Sequence, residues 1–177
     1  MITGASGGVG LAAVELAKLR GTDVTAICSE SKADVVLEAG ADRVVARDAD
    51  PVAEIGAEKI DVVIDVVGGD GVAQLLKLLR RGGRYAIAGA IGGPLSELDL
   101  RTIYLNDLSL FGCTFQEDEV FENLIGYINA GRLSPLVSKS YPLSEIHRAQ
   151  EDFIAKKYPG KLVLVPPVAE LSVRNSD

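Results

Sequence analysis

The glycine-rich segment at the start of the chain carries the strongest chemical signal in the sequence. Residues 2–10 read Ile-Thr-Gly-Ala-Ser-Gly-Gly-Val-Gly and precede a helix with one small, apolar face. A strand that turns sharply into a helix leaves the first helical N–H groups without partners, and these donors, together with the helix dipole, attract anions. The spacing of Ala5, Gly7 and Gly10 follows the A-x-G-x-x-G pattern, in which glycines let a diphosphate approach the backbone.

The residues that follow the next strand indicate which dinucleotide would bind. An acidic residue there holds the ribose 2′-OH of NAD, whereas a cationic neighbourhood accepts the 2′-phosphate of NADP. In this chain Ser29 follows the strand, Lys32 lies one turn further on, and Arg47 lies near the end of the following strand. Glu30 could instead bind the ribose or repel a phosphate, and the two cations could be solvated surface charges. The sequence favours NADP(H) over NAD(H).

The elements that must position these residues alternate between short β-branched runs and helical segments. Strands are predicted at residues 24–28, 61–67, 84–88, 108–115, 136–137 and 162–165, with helices between them. The valine-rich run at 61–67 shows no period of two, which is typical of a strand covered on both faces. This order predicts an α/β fold with a doubly wound, mostly parallel sheet of the Rossmann type.

The ends of several helices can also be located. Asp50 followed by Pro51 is typical of an N-cap with proline at the first helical position. Ser31 followed by Asp34 resembles a capping box. Gly40 suits the left-handed residue that ends a helix. An apolar leucine stripe over residues 75–79 is predicted to end at Gly82.

Composition excludes several classes of protein. The 177 residues carry 18 Lys and Arg against 25 Asp and Glu, a net charge of −7, which disfavours nucleic-acid and anionic-membrane partners. The apolar runs are too short for a membrane helix, so we expect a cytoplasmic protein. Cys28 and Cys113 are predicted to be packing residues, and His147 is the one histidine. These residues do not form a zinc ligand set, so no metal site is predicted.

Seven segments together resemble one known family. They are the turn at residues 4–10, Glu-Ala-Gly-Ala-Asp at 38–42, Asp-Val-Val-Gly at 65–68, residues 82–89, Phe-Gly-Cys-Thr at 111–114, residues 141–149 and residues 160–166. In these segments the chain resembles the cofactor-binding domain of the medium-chain dehydrogenase/reductase superfamily, which includes the quinone oxidoreductases and the zinc-type alcohol dehydrogenases. The resemblance covers nearly the whole chain except the last residues.

The resemblance implies hydride transfer between a nicotinamide and a quinone, enone or carbonyl carbon. It assigns no catalytic residue to this chain, but it assigns cofactor-binding residues in three groups. Gly7, Gly8 and Val9 would hold the pyrophosphate. Ser29, Lys32 and Arg47 would surround the adenosine ribose and its phosphate. The nicotinamide end would be lined by Val67, Gly89, Ala90, Cys113 and Thr114.

The resemblance also implies how the chain is organised. Residues 1–134 would form the dinucleotide-binding domain, residues 135–166 a strand–helix–strand segment that packs on a catalytic GroES-like domain, and residues 167–177 a mobile tail. That GroES-like domain is absent from the sequence, so the chain is expected to be part of a longer reading frame, with weak or absent turnover alone. A homodimer is expected through the strand Leu108–Thr114.

Three alternatives share features with this interpretation. A non-catalytic NAD(P)-binding or sensor module would have the same fold. A doubly wound domain that binds S-adenosylmethionine could also have the glycine turn. The later segments that resemble the dehydrogenase family disfavour it. The T-G-x-x-x-G-x-G pattern from Thr3 to Gly10 also marks short-chain dehydrogenases, but none of the tyrosines has a lysine four positions later, as that chemistry requires.

Overall fold

Helices and strands alternate along the computed structural model, which describes residues 1–167. The strands are β1 (Thr25–Cys28), β2 (Arg43–Ala46), β3 (Ile60–Asp65), β4 (Leu79–Ile87), β5 (Ser109–Gly112), β6 (Val137–Pro142) and β7 (Lys161–Val165). The helices are α1 (Gly8–Leu19), α2 (Ala33–Glu38), α3 (Pro51–Ile55), α4 (Val72–Leu78), α5 (Leu100–Leu105), α6 (Asp118–Asn129) and α7 (Ile146–Ile154).

Residues 1–3 join two groups of parallel strands into one sheet. β1 pairs with β2, and β4 lies between β3 and β5, all in parallel. Ile2 bridges Ala26 of β1 on one side and Ile64 of β3 on the other. The strand order is therefore β2, β1, residues 1–3, β3, β4, β5, which is the doubly wound order of dinucleotide-binding sheets. The predicted α/β fold with a parallel sheet is confirmed.

Two apolar clusters pack this sheet. One contains Ile2, Leu11 and Val14 with residues of β1 and α2. The other contains Val63 and the α4 leucines, of which Leu78 is completely buried. Burial of these side chains orients the start of α1 and the end of β3, which meet at the carboxyl edge of the sheet.

The local signals at helix ends were partly correct. The Asp50 carboxylate accepts hydrogen bonds from the N–H groups of Val52 at 2.9 Å and Ala53 at 3.3 Å, as expected of an N-cap. Gly40 has φ +109°, also as expected. The capping box at Ser31 and Asp34 was wrong. The chain already turns at Ser29, whose carbonyl accepts from the Lys32 N–H at 3.0 Å, so Ser31 lies inside a 3₁₀ turn and α2 begins after it.

The predicted helix over the leucine stripe ends earlier than Gly82. α4 ends at Leu78, and Leu79 instead pairs with Ile60 as the first residue of β4. β4 contains a register shift, and Gly82 within it has φ +72°. Glycine readily adopts this left-handed conformation, here within an irregular strand. The same property makes glycine typical of helix ends, and this is why the sequence predicted a helix end at Gly82.

The segment after α6 returns to the glycine turn. β6 and β7 form a second, two-stranded parallel sheet with α7 between them in sequence. The Gly160 N–H donates to the Ser6 carbonyl at 2.9 Å. The division at residues 134 and 135 stays a prediction, and the predicted mobile tail lies outside the described residues except for Pro167. None of the helices in residues 1–167 has the length and apolar character needed to cross a bilayer.

Candidate functional site

A cleft of about 1070 Å³ opens at the carboxyl edge of the main sheet. The glycine turn lies at its centre, the ends of β1 and β2 lie on one side, and the ends of β3 and β4 lie on the other. The segment from Asp152 to Leu162 forms a further wall. Ligands of open parallel sheets bind in this position, outside the carboxyl ends of the strands.

Glycines give the turn its close packing. Gly4 has φ +56°, and a Cβ atom on it would lie 2.9 Å from the Val66 side chain. A Cβ atom on Gly10 would lie 2.3 Å from the Gly4 carbonyl oxygen. Only a glycine at position 10 therefore lets α1 pack so close to the turn. Gly7 is different, because its Cβ atom would lie 3.4 Å from the Gly4 oxygen and has room. Its missing side chain leaves space on the cleft side.

The first turn of α1 presents its backbone to this space. Gly7 is the N-cap residue, no side chain caps the helix, and its first turn contains no acidic residue. Gly7, Gly8 and Val9 all line the cleft, as does Gly10. Backbone N–H groups at a helix start, with the helix dipole behind them, can hold a diphosphate. The residues present therefore fit a dinucleotide.

Cationic residues gather at the β1–β2 end of the cleft. Ser29, Lys32 and Arg47 all line it, and the first residue after β1 is Ser29 rather than a carboxylate. The Lys32 ammonium donates to the Lys156 carbonyl at 2.6 Å. Lys156 also lines the cleft. The sequence did not predict it as a site residue, because it lies 124 residues from Lys32, which its carbonyl contacts.

The predicted site residues that line the cleft are Gly7, Gly8, Val9, Ser29, Lys32, Arg47 and Val67. Gly89 and Ala90 are not lining residues, but they pack against the turn after β3, since a Cβ atom on Gly68 would lie 3.2 Å from the Ala90 Cα atom and 3.4 Å from the Gly89 carbonyl oxygen. Cys113 and Thr114 follow β5 and do not line the cleft. Cys28 is buried as predicted, but Cys113 is exposed. The prediction failed for Cys113 because the neighbouring strand β5 is exposed along its whole length.

A buried carboxylate lies at the other end of the cleft. Asp65 is completely buried and accepts hydrogen bonds from the Thr3 hydroxyl, the Tyr85 hydroxyl at 2.7 Å and the Val67 N–H at 2.9 Å. It also accepts from the Gly68 N–H at 3.1 Å. These contacts fix the turn after β3 against the strands on both sides.

The hydrogen bond between Tyr85 and Asp65 also affects the Tyr85 phenol. Burial and then the hydrogen bond to Asp65 raise the pKa of Tyr85 above its usual value of 10.0, so the phenol keeps its proton and donates. Asp65 thus accepts from hydroxyl and amide donors on both of its oxygens. The sequence signal was an aspartate at the end of a valine run, followed by Gly68, but its hydroxyl partners lie far away in the chain.

A second polar cluster supports the wall formed by the C-terminal segment. Lys139 donates to Asp152 at 3.1 Å and to the Tyr158 hydroxyl at 3.2 Å, and the Tyr141 hydroxyl donates to Asp152 at 2.6 Å. Hydrogen bonds from Tyr141 and Lys139 lower the pKa of Asp152. The cluster ties β6 to α7 and to the loop before β7, and Asp152 and Tyr158 line the cleft.

A lysine of β7 fixes the start of α1. The Lys161 ammonium donates to the Gly8 carbonyl at 3.0 Å, next to the backbone contact between Gly160 and Ser6. The C-terminal segment thus holds the glycine turn and also forms a wall of the cleft. Within residues 1–167, no group of three or more His, Cys, Asp or Glu side chains is arranged to hold a metal ion.

Comparison with known proteins identifies the family. The family model described as zinc-binding dehydrogenase matches residues 8–130. Mouse quinone oxidoreductase is 31% identical over 180 residues, covering 93% of this chain and 54% of that protein. Acryloyl-coenzyme A reductase of Metallosphaera sedula is 34% identical over 167 residues, covering 93% of this chain and 49% of that protein.

A solved structure agrees with these matches. A Sinorhizobium meliloti 1021 protein assigned as an alcohol dehydrogenase has a TM-score of 0.89 and 47% identity, covering 94% of this chain and 47% of its own. The chain thus spans about half the length of the curated relatives it matches. Its fold implies a nicotinamide cofactor. The chain belongs to the zinc-binding dehydrogenase family, as a cofactor-binding segment of the medium-chain dehydrogenase/reductase superfamily.

Proposed function

We propose that this chain is the NADP(H)-binding part of an oxidoreductase that transfers hydride between the nicotinamide and a quinone, enone or carbonyl carbon. The cofactor supplies the hydride, and residues of this chain bind and orient it. The similarity to quinone oxidoreductases, an acryloyl-coenzyme A reductase and an alcohol dehydrogenase supports this range of acceptors. Gly7, Gly8 and Val9 would hold the diphosphate at the start of α1.

The choice of NADP(H) rests on one observation, the cations at the β1–β2 end of the cleft. Lys32, Arg47 and Lys156 line this end with Ser29. A 2′-phosphate carries negative charge that lysine and arginine attract, and a serine hydroxyl can donate to it. Glu30, the residue that could oppose a phosphate, is exposed and lies outside the lining residues.

The direct experiment is calorimetric titration of the chain with NADPH, NADH and S-adenosylmethionine. We expect NADPH to bind more tightly than NADH, and S-adenosylmethionine not to bind. Equal or tighter binding of NADH would remove the roles of Lys32 and Arg47. Binding of S-adenosylmethionine in preference to either dinucleotide would contradict an oxidoreductase.

We also propose that the enzyme forms a homodimer through the strand Leu108–Thr114. Within residues 1–167, β5 pairs with β4 on one side and forms the edge of the main sheet on the other. Leu110 is 37% exposed and Phe111 is 48% exposed, and the strand contains no lysine or proline that would block pairing. Two copies related by a two-fold axis could extend the sheet from one subunit to the other.

A further inference from the structure

A tyrosine in the C-terminal wall of the cleft has a hydroxyl proton that the described part of the chain does not use. Tyr158 is half-buried and lines the cleft. Its hydroxyl oxygen accepts from the Lys139 ammonium at 3.2 Å, and that ammonium lies 5.0 Å from the centre of its ring. An ammonium can only donate, so the Tyr158 proton must point away from Lys139. The hydrogen bonds within residues 1–167 give this proton no acceptor.

The charges around Tyr158 favour an anionic acceptor. The Asp152 carboxylate lies 3.1 Å from the Lys139 ammonium and 3.9 Å from the Lys157 ammonium. It also accepts from the Tyr141 hydroxyl at 2.6 Å. Two ammonium groups therefore face one carboxylate, and the cluster carries a net positive charge. A hydroxyl beside such a cluster is suited to donate to a negatively charged oxygen.

The chain places Tyr158 between the two phosphate sites proposed for the dinucleotide. Two residues earlier, the Lys156 carbonyl accepts from Lys32 at the cationic end of the cleft. Two residues later, Gly160 bridges Gly7 at the start of α1. A dinucleotide with its diphosphate on Gly7 and its 2′-phosphate near Lys32 has the adenosine ribose, with its attached phosphate, between these points.

We propose that the Tyr158 hydroxyl donates to an oxygen of the phosphate joined to the adenosine ribose, and that Lys139 is the positioning residue that turns the hydroxyl toward it. This phosphate is common to NADPH and NADH. Tyr158 therefore adds affinity for both coenzymes and leaves the choice between them to Lys32 and Arg47. This inference rests on the proposed dinucleotide-binding function.

The test is calorimetric titration of the wild-type chain and of Tyr158→Phe with NADPH, NADH and ADP. The substitution removes the donor and keeps the ring. Each affinity should fall by about tenfold, as expected for the loss of one hydrogen bond to a charged oxygen. The ratio between NADPH and NADH should stay at the wild-type value. ADP contains the phosphate in question but no nicotinamide, so an equal loss for ADP assigns the contact to the adenosine half.

Lys139→Gln tests the positioning role and leaves Tyr158 in place. A glutamine amide can still donate to Asp152, but its carbonyl oxygen can accept the Tyr158 proton and turn it back from the ligand. The affinity for each dinucleotide should fall by about threefold. In a Tyr158→Phe background the same substitution should cause no further loss, because Lys139 acts through the hydroxyl. An equal loss in that background would overturn the role of Lys139.

Tyr141→Phe is the matched control within the same cluster. Tyr141 is buried and lies outside the lining residues, and its hydroxyl donates to Asp152. Its loss should lower stability to denaturant but change the three affinities by less than about twofold. A loss of affinity equal to that of Tyr158→Phe would show that the whole cluster matters rather than the Tyr158 proton, and would overturn the inference.

The remaining outcomes separate this inference from the proposed function. A wild-type chain that binds neither NADPH nor NADH overturns the proposed function itself. If the wild type binds them and Tyr158→Phe keeps the same affinities, the inference is overturned and the proposed function stands. A loss confined to NADPH also overturns the inference, because it would place the hydroxyl at the 2′-phosphate. A loss for the dinucleotides without one for ADP does so too.

Discussion

The Lys32 ammonium donates to the backbone carbonyl of Lys156 at 2.6 Å, across 124 residues of chain. The contact joins the 3₁₀ turn after β1 to the loop after α7, so the cationic end of the cleft is built from two distant segments. Lys156 has φ +50°, a left-handed conformation that is uncommon outside glycine. The position of one lysine therefore depends on the backbone of the other.

We expect the two lysines to contribute to phosphate selectivity. Lys32→Met should lower the preference for NADPH over NADH by about tenfold, equivalent to about 1.4 kcal/mol. Lys156→Asn should have a similar but smaller effect, because asparagine tolerates the left-handed backbone and keeps the carbonyl that holds Lys32. Lys59→Ala is the matched control, since that exposed lysine precedes β3 at the opposite edge of the sheet. An equal change in Lys59→Ala would contradict a specific site.

Two glycines of the turn should respond differently to substitution. Gly7→Val places a side chain over the helix start, where the structure has room for its Cβ atom, so dinucleotide binding should fall by more than about tenfold. Stability should change by no more than about 1 kcal/mol. Gly10→Ala places a Cβ atom 2.3 Å from the Gly4 oxygen and should lower stability by about 1–3 kcal/mol. Calorimetric binding and denaturant unfolding measure the two effects, and tight binding by Gly7→Val would remove the diphosphate site.

The Tyr85 hydroxyl should make stability depend on alkaline pH. Burial and the Asp65 hydrogen bond raise the pKa of Tyr85 above 10.0, so the folded state holds the phenolic proton more tightly than the unfolded state does. This contribution to the free energy of unfolding is complete below pH 10 and is lost as the pH rises through the folded-state pKa.

Tyr85→Phe isolates this effect. It should cost about 1–3 kcal/mol at neutral pH, because a buried carboxylate loses a donor. The variant should also lose less stability than the wild type between pH 9 and pH 11, measured by urea unfolding. An identical pH dependence in both proteins would show that the Tyr85 proton has no such role.

The edge of β5 gives a prediction about assembly. Phe111→Lys places a charge on the exposed edge and should convert a dimer to a monomer, as measured by sedimentation velocity. Leu37→Lys is the control, because Leu37 is also exposed (43%) but lies on α2, beside the opposite end of the sheet. A monomeric wild type at high micromolar concentration would contradict the proposed dimer.

Features that depend on neighbouring residues were predictable from the sequence. The glycine turn, the Asp50 cap and the left-handed Gly40 are each determined within a few residues, and each occurs as expected. The parallel sheet followed from alternating runs. The Ser31 cap failed at the same local scale, because Ser29 and Ser31, separated by Glu30, offered competing starts and Ser29 begins the turn.

Features that depend on distant residues were not predictable from one sequence. Asp65 meets Thr3 across 62 residues and Tyr85 across 20, and no local pattern encodes those pairs. Lys156 belongs to the cleft only because the β6–β7 unit returns to α1. The early end of α4 also has a distant cause, since Leu79 leaves the helix to pair with Ile60.

The hydrogen bond from Gly160 to Ser6 has a consequence for synthesis of the protein. Ser6 precedes α1 and Gly160 directly precedes β7, so the five strands β1 to β5 of the main sheet are synthesised between the two residues. Contacts of such separation form late, because the loop between them must first be closed. Nascent chains should therefore acquire coenzyme affinity only after β7 has been synthesised, well after α1 has formed.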